Sequence, residues 1–146
     1  MSTYLLSNTY ANKALDAILG SAHSADFPAT VFIGLSSTKP NDDGTGITEP
    51  VIGTNAYARI SVANNDTKWP DAASRVKSNG AIETFPAPTG AWLSGATLRF
   101  FVIFDASTAG THIIYGELAV PRIVAAAGNA MFFAAGELQI YAPSIF

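Results

Sequence analysis

The stretch Thr97-Leu-Arg-Phe-Phe-Val-Ile-Phe-Asp105 decides the fold. Residues 100–104 are five consecutive large apolar side chains of β-branched or aromatic type, the types that suit a pleated strand. A strand with one wet face alternates apolar and polar residues. An unbroken run therefore predicts a central strand whose side chains are covered on both faces. A single sandwich core covers one face only, so the other cover is expected from an amphipathic helix near residues 8–19 or from a second subunit.

Outward from this strand, the chain carries other short strands. Residues 30–36, Thr-Val-Phe-Ile-Gly-Leu-Ser, read as a strand rich in β-branched and aromatic types. Residues 57–63 alternate, with Tyr57, Arg59 and Ser61 on one face and Ala58, Ile60 and Val62 on the other. Residues 81–85, 112–120 and 131–141 complete the set, the last placing Leu138 and Ile140 on one face. Gly, Pro and Asn signals separate them, including a long acidic loop at 38–50 and a polar loop at 64–71. About seven strands at this spacing, with no crossover helices after residue 20, predict a mainly β, single-domain β-sandwich of jelly-roll type over 1–146. One helix precedes it. Leu6, Tyr10, Ala14, Leu15, Ile18 and Leu19 share one face of a helix near residues 8–19, started by Ser7 or Asn8 and ended by Gly20.

A length of 146 residues suffices for a core without staples. Cysteine is absent, which removes disulfides, thiolate metal sites and thiol nucleophiles. Net charge is −3, from 8 Lys+Arg against 11 Asp+Glu, with no basic cluster, so no nucleic-acid partner is expected. No run reaches the roughly 18 apolar residues of a membrane span, and the N-terminal residues lack a basic signal-peptide region. The charged fraction is 13% with mean hydropathy +0.25, against the roughly 25% usual for soluble domains. Interface cores are depleted in charge, so this shortage predicts a subunit that self-associates, as a dimer or trimer.

Chemistry is sparse. Asp105, Ser107 and His112 fall on one short hairpin without a nucleophile elbow or an oxyanion glycine pattern, and His23 sits in a separate loop. No catalytic residue is assigned. Asn41-Asp-Asp-Gly-Thr-Gly46 offers oxygen ligands but not EF-hand spacing, and Asx turns account for the same residues. No metal or cofactor site is assigned. Trp69, Trp92, Tyr57 and Tyr115 could line a sugar-binding face, although a tryptophan beside a proline, as in Trp69-Pro70, more commonly pins a loop or meets a neighbour.

Several segments resemble a family of small tailed-bacteriophage virion proteins labelled tail fibre or head-decoration proteins. They are Tyr4-Leu-Leu-Ser-Asn-Thr-Tyr-Ala-Asn-Lys-Ala-Leu15, Ala29-Thr-Val-Phe-Ile-Gly-Leu-Ser36, Gly46-Ile-Thr-Glu-Pro50, Tyr57-Ala-Arg-Ile-Ser-Val-Ala-Asn64, Phe104-Asp-Ala-Ser-Thr-Ala-Gly110 and Phe133-Ala-Ala-Gly-Glu-Leu-Gln-Ile140, in order along nearly the whole chain. The resemblance implies a non-enzymatic particle component made in the host cytoplasm. The leading expectation is a capsid decoration or cement protein on the head exterior, touching the major capsid protein. The alternatives are a tail-fibre or baseplate subunit touching tail proteins, and a carbohydrate-binding receptor module. The helix and the 38–50 loop are the expected contact regions, with Tyr10, Leu15, Ile18, Leu19, Ile47, Trp69 and Trp92 as interface residues.

Overall fold

Alternation along two neighbouring segments builds the central sheet. A computed structural model describes residues 7–142. In it β1 (Thr30–Ser36) lies antiparallel between β2 (Ile60–Ala63) and β5 (Leu98–Phe104), and β6 (His112–Arg122) pairs with the far side of β5. The order β2-β1-β5-β6 makes the predicted central strand an inner strand. Register sets its two faces. Ile33 pairs with Ile103 and Leu35 with Phe101, while Phe32 pairs with Phe104 and Gly34 with Val102. The first set faces the main core with Val31, Val62 and Leu118; Val102 and Phe104 are buried outside that core, on the opposite face.

The remaining strands form two ribbons, β3 (Val76–Ser78) with β8 (Gln139–Tyr141), and β4 (Glu83–Thr84) with β7 (Phe132–Phe133). Their inward residues Phe85, Phe133, Leu138 and Ile140 join the sheet's core residues in one cluster. Among the described residues the fold is mainly β with one α-helix, near the N-terminus, and its strands pair antiparallel throughout. The second layer expected of a sandwich is divided between two ribbons. The predicted strand at 131–141 is broken by a turn at Gly136 (φ 80°), whose N–H bonds to Asn79 O.

Tyr57, Phe85, Trp92 and Phe133 pack edge-to-face or stacked, with ring centres 5.0 to 6.2 Å apart. Such pairs each add about 0.5–1.5 kcal/mol beyond the area they bury. Gly116 sits where this layer meets the sheet. A Cβ there would lie 2.4 Å from the Phe101 ring and 2.8 Å from Gln139 O, so only glycine lets β8 approach β6 so closely.

The helix α1 (Asn8–Asp16) is shorter than the predicted 8–19. Ser7 Oγ accepts from Tyr10 N at 3.3 Å and starts it. After Asp16 the N–H groups of Ile18 and Leu19 both bond to Leu15 O, and the chain tightens into a turn. Of the predicted stripe Leu15 and Leu19 are buried, Tyr10 and Ala14 are exposed, and Leu6 lies outside the described residues; Ala11, which is not part of the stripe, is buried as well. The polar flank of the helix is also engaged. Asn12 Oδ1 accepts from Arg75 N at 2.8 Å, and Asp16 Oδ1 accepts from Ala72 N at 2.7 Å and from Lys77 Nζ at 2.8 Å. Lys77 is buried, its side chain 1% exposed. The helix thus docks on the β3 segment and does not cover the outer face of β5.

Candidate functional site

The outer face of β1 and β5 is covered by the long loop that follows β1. Gly34 makes room for it: a Cβ there would lie 2.5 Å from Glu49 Oε1 and 3.0 Å from the Phe104 ring. Glu49 is therefore seated over the strand and holds the loop down. It accepts from Arg59 Nε at 2.9 Å, from Arg59 NH2 at 2.8 Å and from Tyr57 Oη at 2.8 Å. Arg59 also donates through NH1 to Ala106 O at 2.7 Å and Ala109 O at 2.9 Å, tying the β5–β6 turn to the same point. Its side chain is 4% exposed and that of Glu49 13%, so this is a buried pair in bidentate geometry.

Tyr57 joins the two faces. Its ring lies in the main core, and its hydroxyl accepts from Leu35 N at 3.0 Å just beyond the last β1–β2 pair, Ile33 with Ile60. Burial, and then the neighbouring Glu49 carboxylate, push the Tyr57 hydroxyl above its ordinary value, so it remains a donor. The loop base is closed by Ser36 and Thr48. Thr48 N donates to Ser36 Oγ at 3.0 Å, Thr38 and Thr48 hydroxyls meet at 2.8 Å, and Ser37 N donates to Thr48 O at 3.0 Å.

Asp105, His23 and Asp43 have hydrogen-bond partners, whereas His112 Nδ1 is buried without one among the described residues. Asp105 Oδ1 accepts from Thr111 N at 2.7 Å and closes the hairpin, while the His112 ring lies against Gly44 of the long loop. His23 Nδ1 is 2.6 Å from Gly20 O. Asp43 accepts from the Thr45 hydroxyl at 2.6 Å and the Thr45 N–H at 3.0 Å, and these bonds, the hydroxyl first, lower its carboxyl below the usual range. Among the described residues no group of three His, Cys, Asp or Glu side chains is placed to hold a metal ion. No helix among them is long and apolar enough to cross a membrane.

The aromatic face proposed for sugar is not assembled. Trp69, Trp92 and Tyr57 are 0 to 1% exposed, and Tyr115 lies on the outer face of β6 against Phe100. Burial takes Trp69, Trp92, Leu15 and Leu19 out of the free surface as well. Each anchors a loop or the helix to the chain's own core, because apolar side chains with room to bury do so before a neighbour arrives. Tyr10 is exposed, and Ile18 and Ile47 are half-buried. The structure therefore spreads the seven residues over core, helix and loop and brings no surface cluster together from them.

A cleft of about 320 Å³ opens between residues 50–55 and 91–94. Asn55, Ala56, Leu93 and Ser94 around it have positive φ of 48° to 63°, an uncommon conformation for non-glycine residues. Hydrogen bonds hold the Asn55 side: Thr89 N and Trp92 Nε1 donate to Asn55 O, and Asn55 Nδ2 donates to Ala91 O. None of the residues lining the cleft is ionisable.

The Glu49–Arg59 pair was not found from sequence. Its one signal was Arg59 sharing a strand face with Tyr57, an arginine where a half-buried strand would carry a short polar residue. A comparison with curated proteins finds no match. The family model described as Podophage GP4 fiber I protein gp80 matches residues 5–141, and the chain belongs to that family of phage structural proteins.

Proposed function

We propose that this chain is a non-catalytic fibre subunit of a podophage tail, held in the particle by contacts with other tail proteins. The carrying observation is the family match over residues 5–141, whose description is that of a fibre protein. It favours the tail-fibre alternative over the capsid-cement reading. The geometry is consistent with a structural role: the buried charged groups, Glu49 with Arg59, Lys77 with Asp16 and Glu83 with Lys68, bond to one another and fix loops rather than converge on a cleft. Gold-labelled antibody against the chain, applied to intact virions, tests the assignment. Label confined to the tail is the expected result. Label distributed over the head would overturn it in favour of decoration.

A further inference from the structure

Asn79 and Gly80 form the one Asn-Gly step in the sequence. Asparagine is a thermolabile residue, and a following glycine leaves its side-chain amide least protected, because with no Cβ in the way the next backbone nitrogen reaches the amide carbon. The fold nonetheless requires both residues. A Cβ at position 80 would lie 2.6 Å from Thr67 O and 2.7 Å from the Pro70 ring, so only glycine lets the polar loop at 64–71 lie against this turn. Asn79 fastens the turn at 134–138 to the end of β3. Its Nδ2 donates to Ala81 O at 2.8 Å and to Ala134 O at 2.9 Å, its Oδ1 accepts from Leu138 N at 2.9 Å, and its backbone O accepts from Gly136 N at 2.7 Å.

The same bonds disarm the step. Ring closure needs the Gly80 nitrogen to give up its proton and swing onto the Asn79 side-chain carbon while Nδ2 leaves as ammonia. In the folded chain Gly80 N instead donates to Lys68 O at 2.7 Å, and Nδ2 is held between two carbonyls. Asn79 is 1% exposed, out of reach of the water that must finish the reaction.

We infer that Asn79-Gly80 is a latent deamidation site that folding closes, and that its reaction irreversibly marks a chain left unfolded. In the open chain Gly80 N bonds to Asn79 Cγ, Nδ2 departs as ammonia, and water then opens the imide ring at either carbonyl. The product is aspartate or, with an extra carbon in the backbone, isoaspartate. Neither can restore the native contacts. Aspartate sets a carboxylate oxygen where Nδ2 stood, facing the carbonyls of Ala81 and Ala134, and takes a charge into the interior. Isoaspartate lengthens the backbone directly after β3 and displaces Gly80 from its seat against Thr67 and Pro70. Both consequences hold wherever on the particle the chain sits, so the antibody experiment above can fail while this one succeeds.

Mass spectrometry of the tryptic peptide 78–99, which contains the step, tests this on the wild-type chain. The chain is held in mildly alkaline buffer, one portion folded and one unfolded in guanidinium chloride. Conversion in the folded portion is expected to be at least about a hundredfold slower, because only the rare open molecules react. When the denaturant is removed and the folded fraction is collected by gel filtration, unconverted molecules are expected in it and converted ones outside it. Asn79→Asp is expected to miss the folded fraction in the same way, whereas Asn129→Asp, at an exposed residue, is expected to refold like the wild type. A rate ratio below about a hundredfold, converted molecules recovered in the folded fraction, or Asn79→Asp melting at the wild-type temperature overturns the inference.

Discussion

The guanidinium carbon of Arg59 sits 3.4 Å from the centre of the Phe104 ring. That contact, with the carboxylate of Glu49 on the same guanidinium, closes the side of β5 that faces away from the main core. Five donor–acceptor or ring contacts converge on one side chain from three separate segments: residue 49, residue 104 and the turn at 106–109.

Arg59→Met removes the bidentate partner and leaves Glu49, 13% exposed, facing an apolar ring without its counter-charge. Breaking one side of a buried pair costs about 3 to 5 kcal/mol. Urea unfolding should show a loss of that size with an unchanged slope. Arg59→Lys should recover little of it, because an ammonium cannot reproduce the fork. A loss below about 1 kcal/mol in Arg59→Met would show that the pair does not hold the loop.

The helix should respond asymmetrically to the two ends of its ion pair. Asp16→Ala strands Lys77 in the core and frees Ala72 N, so it should cost about 3 to 5 kcal/mol. Lys77→Met replaces a side chain 1% exposed with an apolar one of similar length and leaves Asp16, 20% exposed, still accepting from Ala72, so the change should stay within about 1 kcal/mol. Equal losses in the two variants would refute the asymmetry. Thermal melts of both proteins, followed at the helix signal, measure it.

Tyr57 makes the fold sensitive to alkali. Its folded-state value is raised above the ordinary 10.0, chiefly by burial. The neutral form is therefore favoured in the folded chain. The stabilisation is fully present below pH 10 and is lost as pH rises toward the folded-state value. Tyrosinate absorbance followed together with near-ultraviolet circular dichroism should show Tyr57 ionising only as the folded signal collapses. Complete ionisation at pH 11 in a folded protein would contradict the buried Tyr57–Glu49 bond.

Residues 30–36 were legible to the residue because local preference and tertiary need agree there: β-branched types, alternating inward and outward, follow a proline-containing loop. The run at 100–104 likewise announced a strand covered twice. What it did not announce was the cover. The expected choices were the helix or a second subunit, and the structure uses a loop, fastened by two charged residues ten positions apart whose meeting depends on the path of the chain between them. Lys77 and Glu83, both buried, were unreadable for the same reason, since their partners lie 61 and 15 residues away. The helix overran its observed end because Ile18 and Leu19 keep the periodic pattern while their N–H groups have already converged on one carbonyl. Trp69 and Trp92 show the limit of reading exposure from residue type: each lies next to turn residues, and each is sealed inside.

The loop over Gly34 separates anchorage from display. Its base is bonded at Ser36, Thr38 and Thr48, its far end is clamped at Glu49, and Pro40 and Pro50 are buried at either shoulder. Between them, residues 41–46 are exposed and bond chiefly among themselves, Asn41 N to Thr45 O and Thr45 to Asp43. Apart from the contact of Gly44 with the His112 ring, that tip can lengthen or be exchanged for another peptide without breaking a strand pairing of the sheet beneath. It gives this small chain an evolvable and engineerable position beside its central sheet.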